Sequence, residues 1–220
     1  MKVDIEFFRK ESAELFYILG LWASDGCVYK STMQISMNDR DVIEWVAETI
    51  GYKGEIKEVE RTGGFYEKTG RVTSIGYFIR FSSVEIRDIF NRYGVTSRKS
   101  LTIEFPDIPE GMMPHFVRGV FDGDGGIYLA TRVINGRKYD RAKVHFTSGS
   151  YSFLEKLKEI VENEVGNDVK ITKGTRCYIY AFEAKKDVKK FGEWIYAGSS
   201  FGGERKRSKF AEIGVEAAAS

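Results

Sequence analysis

Apolar and polar positions follow two different periods along the chain, and the order in which those periods occur is repeated. A mostly apolar stretch, Leu15 to Ala23, precedes the alternating YKSTMQISMN and a helical pattern that ends at Gly51. A second apolar stretch, His115 to Phe121, precedes the alternating YDRAKVHFT and a helical pattern that ends at Gly166. Both terminal glycines suit a left-handed helix C-cap. Two further strands follow in each case. GEIKEVER and TSIGYFIRFS are joined by the glycine-rich TGGFYEKTGR, and DVKITKG and RCYIYAFEA by a tighter turn. A third helix closes each half, SVEIRDIFNRYG and KKDVKKFGEWIYAG. Paired strands between helices predict an α+β fold of two pseudo-symmetric αββαββα halves, each with an antiparallel four-stranded sheet. The halves span 1–99 and 115–220. Between them, 100–114 reads as the linker, since it holds all three prolines.

The two apolar stretches end alike, as LGLWASDG and RGVFDGDG, which sets Gly20 on Gly119 and Asp25 on Asp124 at an offset of 124 − 25 = 99 residues. Phe146 falls on Ile35 at an offset of 146 − 35 = 111 residues. The second half therefore holds an insertion, and TRVINGRKYDR predicts a long hairpin. A mid-helix glycine costs about 1 kcal/mol relative to alanine. Its repetition at one position predicts two helices that pack closely through Gly20 and Gly119 along a pseudo-two-fold axis. Gly26 and Gly125 suit the C-caps. Asp25 and Asp124 then stand in the last turns, where the helix dipole disfavours acids, and pairing the helices sets one acid near the other. A hard divalent cation, Mg²⁺ or Ca²⁺ rather than zinc, resolves that conflict. Asp122 aligns with Ala23 and stands outside the symmetric pair.

Composition changes this picture little. The chain has 220 residues, 30% charged and 42% apolar, with a net charge of +2. That is a globular mixture without the bulk charge of a nucleic-acid binder, so any such role must lie in how charge is distributed. The cysteines, Cys27 and Cys177, have no metal-ligand spacing and are too few for a disulfide scaffold. No apolar run reaches membrane-span length, and the first residues lack a signal-peptide core. The expectation is a soluble intracellular protein, in the cytoplasm or an organelle matrix.

At the repeated stretches the chain resembles the double-motif LAGLIDADG homing endonucleases. Ile18 to Gly26 reads ILGLWASDG and Val117 to Gly125 reads VRGVFDGDG. FPDIPEGMMPHFVRGVFDGDGGI is similar to the family's approach to its second motif. Two motifs in matching halves make the likeness specific over nearly the whole chain. The resemblance implies that the eighth motif residue, Asp25 or Asp124, binds metal, with Ser24 and Gly123 in the ligand set. It further implies a lysine in each active site, Lys99 and Lys206, the latter with Arg205 and Lys209 close by. The first motif departs at Ala23 and Ser24, the second at Arg118 and Gly123. Where several members carry a glutamine, this chain has Met37 and Ser148.

The polar faces of the strands supply a candidate DNA surface. Lys30, Thr32, Gln34, Ser36 and Asn38 share one face, opposite Met33, Ile35 and Met37. Tyr139, Arg141, Lys143, His145 and Thr147 share another, opposite Ala142, Val144 and Phe146. Lysine and arginine contact phosphate or guanine, and glutamine reads adenine. Arg71, Arg80, Lys170, Lys173 and Arg176 are further candidates. Together with these faces, the resemblance implies a monomeric, sequence-specific endonuclease that makes a staggered break in double-stranded DNA at a long target site. Mg²⁺ would be the cofactor, with Mn²⁺ possible and Ca²⁺ binding without cleavage. With no splicing-domain sequence flanking the core, the expectation is a free-standing or intron-encoded enzyme. The alternatives are an RNA maturase, for which RNA is a partner, and a non-catalytic DNA-binding regulator.

Overall fold

The structure, a computed structural model, describes residues 2–66, 70–96 and 101–215, with the side chains of 61–66, 70–73, 132, 134 and 138 excepted. Two long helices form its centre. Helix α2 (Ala13–Ser24), preceded by the short α1 (Ile5–Arg9), begins at Ser12, whose hydroxyl accepts the Leu15 N–H at 3.1 Å. Helix α5 (Met113–Asp124) opens on Pro114, a residue suited to a first turn. Residues Leu15 to Ala23 of α2 are all buried, because the helix has neighbours on every side. The two helices cross at the paired glycines. A Cβ on Gly20 would lie 2.2 Å from the Phe116 carbonyl oxygen, and one on Gly119 would lie 2.1 Å from that of Tyr17. Since Tyr17 and Phe116 are also 99 residues apart, the contact is reciprocal about a local dyad.

Each half adds a four-stranded antiparallel sheet. In the first, β1 (Gly26–Tyr29), β2 (Thr32–Met37), β3 (Lys57–Tyr66) and β4 (Gly70–Ser82) stand in the order β1-β2-β4-β3. In the second, β5 (Gly125–Ile134), β6 (Arg137–Ser148), β7 (Thr172–Lys173) and β8 (Tyr178–Phe182) stand in the order β5-β6-β8-β7. The register pairs Gly26 with Ile35 and Gly125 with Phe146, as the two offsets require. Helices α3 (Arg40–Thr49), α4 (Val84–Arg92), α6 (Tyr151–Val165) and α7 (Lys185–Tyr196) complete the αββαββα order. Gly51 and Gly166 follow α3 and α6 at φ +59° and +78°, in the left-handed region that favours glycine.

Several details differ from the sequence pattern. The expected loop TGGFYEKTGR is largely strand, since β3 runs on to Tyr66 and β4 starts at Gly70. Lys30 is not on a strand face. It sits in the two-residue turn between β1 and β2 at φ +52°. The expected strand DVKITKG shrinks to two residues, because the Val169 N–H is drawn to Glu162 Oε1 of α6 at 2.7 Å. The long hairpin is present, turning at Asn135 and Gly136 with φ +52° and +76°, the signature of an Asn-Gly turn.

A last helix, α8 (Glu204–Glu212), returns to the first half. Arg205 grips Asp39 through Nε and a terminal nitrogen at 2.7 and 2.8 Å, and Asp41 accepts the Glu204 N–H at 2.8 Å. Just before α8, Phe201 stacks on Trp45 with ring centroids 4.3 Å apart. The C-terminal segment is therefore a clasp between the halves. No helix among the described residues is long and apolar enough to cross a membrane.

Candidate active site

The crossing carries both helices to a common end. Asp25 is the C-cap of α2, and Asp124 is the last residue of α5. Both are exposed, whereas Trp22 and Phe121 in the same turns are buried. A Cβ on Gly123 would lie 1.9 Å from Ser24 Oγ and 3.5 Å from an Asp25 carboxylate oxygen. The Asp25 carboxylate therefore lies against the last turn of α5, and Gly123 is small because Ser24 occupies the adjoining space. Gly26 and Gly125 serve the same purpose, not the left-handed cap expected of them. Gly125 is extended at φ −94°, and Cβ atoms at these positions would meet Trp22 at 2.3 Å and Phe121 at 2.5 Å.

Two carboxylates at two helix C-termini concentrate negative potential. The Ser24 hydroxyl donates back to the Gly20 and Leu21 carbonyls, so its proton is committed to the helix. No group of three His, Cys, Asp or Glu side chains suited to a metal occurs among the described residues. The donors present are hard oxygens and few. That set fits a Mg²⁺-type ion whose remaining ligands are water and phosphate.

Asp124 opens into a cleft of about 380 Å³, shared with Ser24, Leu101, Ile103, Thr147 and Arg176. The Thr147 hydroxyl donates to the Asp124 carbonyl at 3.2 Å and pins β6 to the helix end. Lys99 lies outside the described residues. Lys206 is buried, and its ammonium donates to the carbonyls of Phe121, Asp122 and Gly125, each at 2.7 Å. It thus caps α5 and offsets the dipole beside Asp124. Burial holds its pKa below the ordinary lysine value, against the opposing pull of Asp122. Lys209 donates to the Ile127 carbonyl of β5 at 3.1 Å. Changing Lys206 to methionine removes three hydrogen bonds to carbonyls, of which that of Phe121 keeps the Gly125 N–H, and takes from buried Asp122 the cation that most opposes its pKa rise. Stability should fall by about 3 kcal/mol or more. Urea unfolding measures this, and an unchanged midpoint would mean that water replaces the ammonium.

Behind the site lies a buried polar network that sequence reasoning missed. Asp122 accepts the Tyr17 hydroxyl and the Gly203 N–H, both at 2.8 Å. Burial raises its pKa, and Lys206 most strongly opposes the rise. Arg118, fully buried, donates to the Ile195 carbonyl at 2.6 Å and lies 4.5 Å over the Phe201 ring. These are among the positions where the second motif is more polar than the first, which was the available signal.

The outer sheet faces carry the expected alternation. Thr32, Gln34 and Ser36 are partly exposed between buried Met33, Ile35 and Met37. Gln34 Oε1 accepts from Arg80 Nε at 2.7 Å, across strands in register. Asn38, just past β2, reaches Ser74 at 3.5 Å. In the second half Arg141 and Lys143 both pair with Glu183, the lysine at 3.2 Å. Tyr139 is exposed beside them. His145 packs over Gly126, and burial, then Lys143 and Lys206, hold its pKa below the usual imidazole value. Tyr29 and Tyr128, also 99 residues apart, are exposed opposite Thr32 and Lys143. Tyr29, Tyr128 and Glu183 belong to this face and were not foreseen. Lys170 and Lys173 do not belong to it. Lys170 lines a groove with Glu155 and Glu159 of α6, and Lys173 is in register with Tyr178, whose ring meets Tyr151 of α6. Paired residues share a face, so the shortened β7 points Lys173 towards the helix layer. Arg71 is in β4, with its side chain outside those described.

Residues 113–196 match the family model of the LAGLIDADG-like domain. No curated protein matches the chain. Among solved structures, the LAGLIDADG meganuclease I-SmaMI, bound to uncleaveable DNA, is similar with a TM-score of 0.59 and 14% identity over 90% of this chain and 88% of that one. The I-LtrWI LAGLIDADG homing endonuclease, bound to target DNA, gives a TM-score of 0.58 and 11% identity over 96% and 89%. The LAGLIDADG meganuclease I-AabMI, bound to uncleaved DNA, gives 0.53 and 12% over 92% and 89%. I-SmaMI is also known bound to uncleaved DNA in the presence of calcium ions. Residues 113–196 thus match the LAGLIDADG-like domain, and the fold of the whole chain is similar to that of the two-half LAGLIDADG meganucleases.

Proposed function

We propose that this chain is a monomeric, sequence-specific endonuclease that makes a staggered break in double-stranded DNA. The observation that carries this reading is the placement of two exposed carboxylates, Asp25 and Asp124, at adjacent helix ends between two polar sheet faces. One chain then supplies an acid for each DNA strand. The sheet faces would lie along the duplex, with Lys143, Arg141 and the Gln34–Arg80 pair over the major groove. The DNA-bound states of I-SmaMI, I-LtrWI and I-AabMI support that arrangement.

Asp25 and Asp124, with the backbone oxygens of Ser24 and Gly123, would hold the divalent ion, Mg²⁺ by the hardness of the donors. Such an ion supplies electrophilic stabilisation of the phosphodiester and acidifies water. The chain's own part is positioning. The glycine crossing fixes the spacing of the two acids, and Lys206 fixes the turn that carries Asp124. The water oxygen bonds to phosphorus as the bond to the leaving ribose oxygen breaks; water's proton passes to solvent, and solvent returns one to the leaving oxygen, which becomes a hydroxyl. Lys99 would stabilise phosphate charge at the first site.

The test is selection of cleaved sites from a randomised plasmid library in Mg²⁺. Recovery of one long motif supports the reading, and recovery of none overturns it. On the recovered site, Lys143→Ala should lower the slope of log affinity against log salt by about one unit, alike for all sequences. Gln34→Ala and Arg141→Ala should each cost roughly 1–3 kcal/mol at a single base position. Affinity, base preference and salt slope all unchanged in the three variants would mean that this face does not meet DNA.

A further inference from the structure

The capping role of Lys206 leaves the second site in need of another cation. An ammonium has three protons, and each of those on Lys206 is given to a carbonyl at 2.7 Å. None remains for a phosphate oxygen unless the cap on α5 breaks. Lys209 is likewise turned inward, onto the Ile127 carbonyl. The cation that does line the Asp124 cleft, among the described residues, is Arg176.

Arg176 is exposed and lies in the turn between β7 and β8, which the Gly174 N–H closes onto the Cys177 carbonyl at 2.9 Å. Its φ is +61°, in the left-handed region where glycine or asparagine is at home and a long side chain is strained. Its guanidinium makes no ion pair with a described residue. Register places the turn beside the motif. Tyr178 pairs with Ser148, and the neighbouring Thr147 is bonded to the Asp124 carbonyl. A planar fork of donors at this point can meet two oxygens of one phosphate group at once.

We infer that Arg176 is the cation facing the scissile phosphate of the strand that Asp124 serves. The inference rests on the endonuclease reading and extends it by naming the charge at the second site. It also makes the two sites chemically unequal, with Lys99 expected at the first and an arginine at the second.

The experiment follows each strand separately on supercoiled plasmid carrying the recovered site, at saturating protein in Mg²⁺ under single-turnover conditions. Arg176→Ala and Arg176→Gly should slow one strand roughly a hundredfold and leave the other unchanged, so that nicked circles accumulate. The slowed strand should be the one that Asp124→Asn leaves intact, not the one that Asp25→Asn leaves intact. Arg176→Lys should restore part of the rate. The glycine variant separates the guanidinium from the turn, because glycine adopts φ +61° without strain. Wild-type rates in it would assign the effect to backbone and overturn the inference. So would equal slowing of both strands, which marks a general DNA contact, or slowing of the Asp25 strand. If the parent protein recovers no site, the endonuclease reading itself falls and takes this inference with it.

Discussion

Asp124→Asn is expected to leave one DNA strand uncut, with a loss of roughly a thousandfold or more in its cleavage rate, and Asp25→Asn should do the same to the other strand. A divalent ion contributes several kcal/mol of charge stabilisation to phosphoryl transfer, and each 1.36 kcal/mol is tenfold in rate. Asparagine keeps the shape of the side chain and removes the charge that holds the ion. DNA binding should survive, because it would rest on the outer-face side chains of both four-stranded sheets, and the change from carboxylate to amide leaves those in place. Stability should change little, since each acid is exposed at a helix C-terminus, where the dipole disfavours it. Strand-resolved cleavage together with thermal melting checks both halves of the expectation. Wild-type cleavage in either variant, or a sharp fall in melting temperature, would remove the acid from the role given to it.

The second large effect is structural. Gly119→Ala adds one carbon at 2.1 Å from the Tyr17 carbonyl oxygen and 2.8 Å from the Leu21 nitrogen, both backbone atoms that cannot swing aside. Gly20→Ala meets the Phe116 oxygen at 2.2 Å. The helices must move apart, and the halves with them, because α2 and α5 are the shared centre of the fold. Overpacking costs typically 1–3 kcal/mol, and a backbone clash belongs at or above the top of that range. For a domain of this size about 3 kcal/mol lowers the melting temperature by roughly 6–12 °C. Cleavage should suffer more than melting, since both acids ride on the helix ends. Gly111→Ala is the matched control, for a Cβ there meets nothing within 4 Å. A Gly119→Ala melting temperature equal to that of Gly111→Ala would mean that the crossing relaxes without cost.

What the sequence determined by itself is what local period and internal repetition can encode. The 99-residue offset located the helix crossing, and the 111-residue offset located the β-strand register. Period-two alternation separated Gln34 and His145 from Met33 and Val144, because successive side chains on a strand must point to opposite faces. The left-handed caps at Gly51 and Gly166 were legible for a similar reason, since the dihedral belongs to the residue itself. Only the tertiary structure decided what the long side chains do. Lys206 lies 85 residues beyond Phe121, whose carbonyl it caps, and Arg141 lies 42 residues before its partner Glu183. Lys173 faces the helix layer because its register sets it opposite Tyr178, whose ring meets Tyr151 of α6. A lysine reads the same in sequence whether its ammonium ends in water, on phosphate or on three carbonyls. Which of these it meets depends on where distant backbone comes to rest, and one flexible side chain can reach any of them.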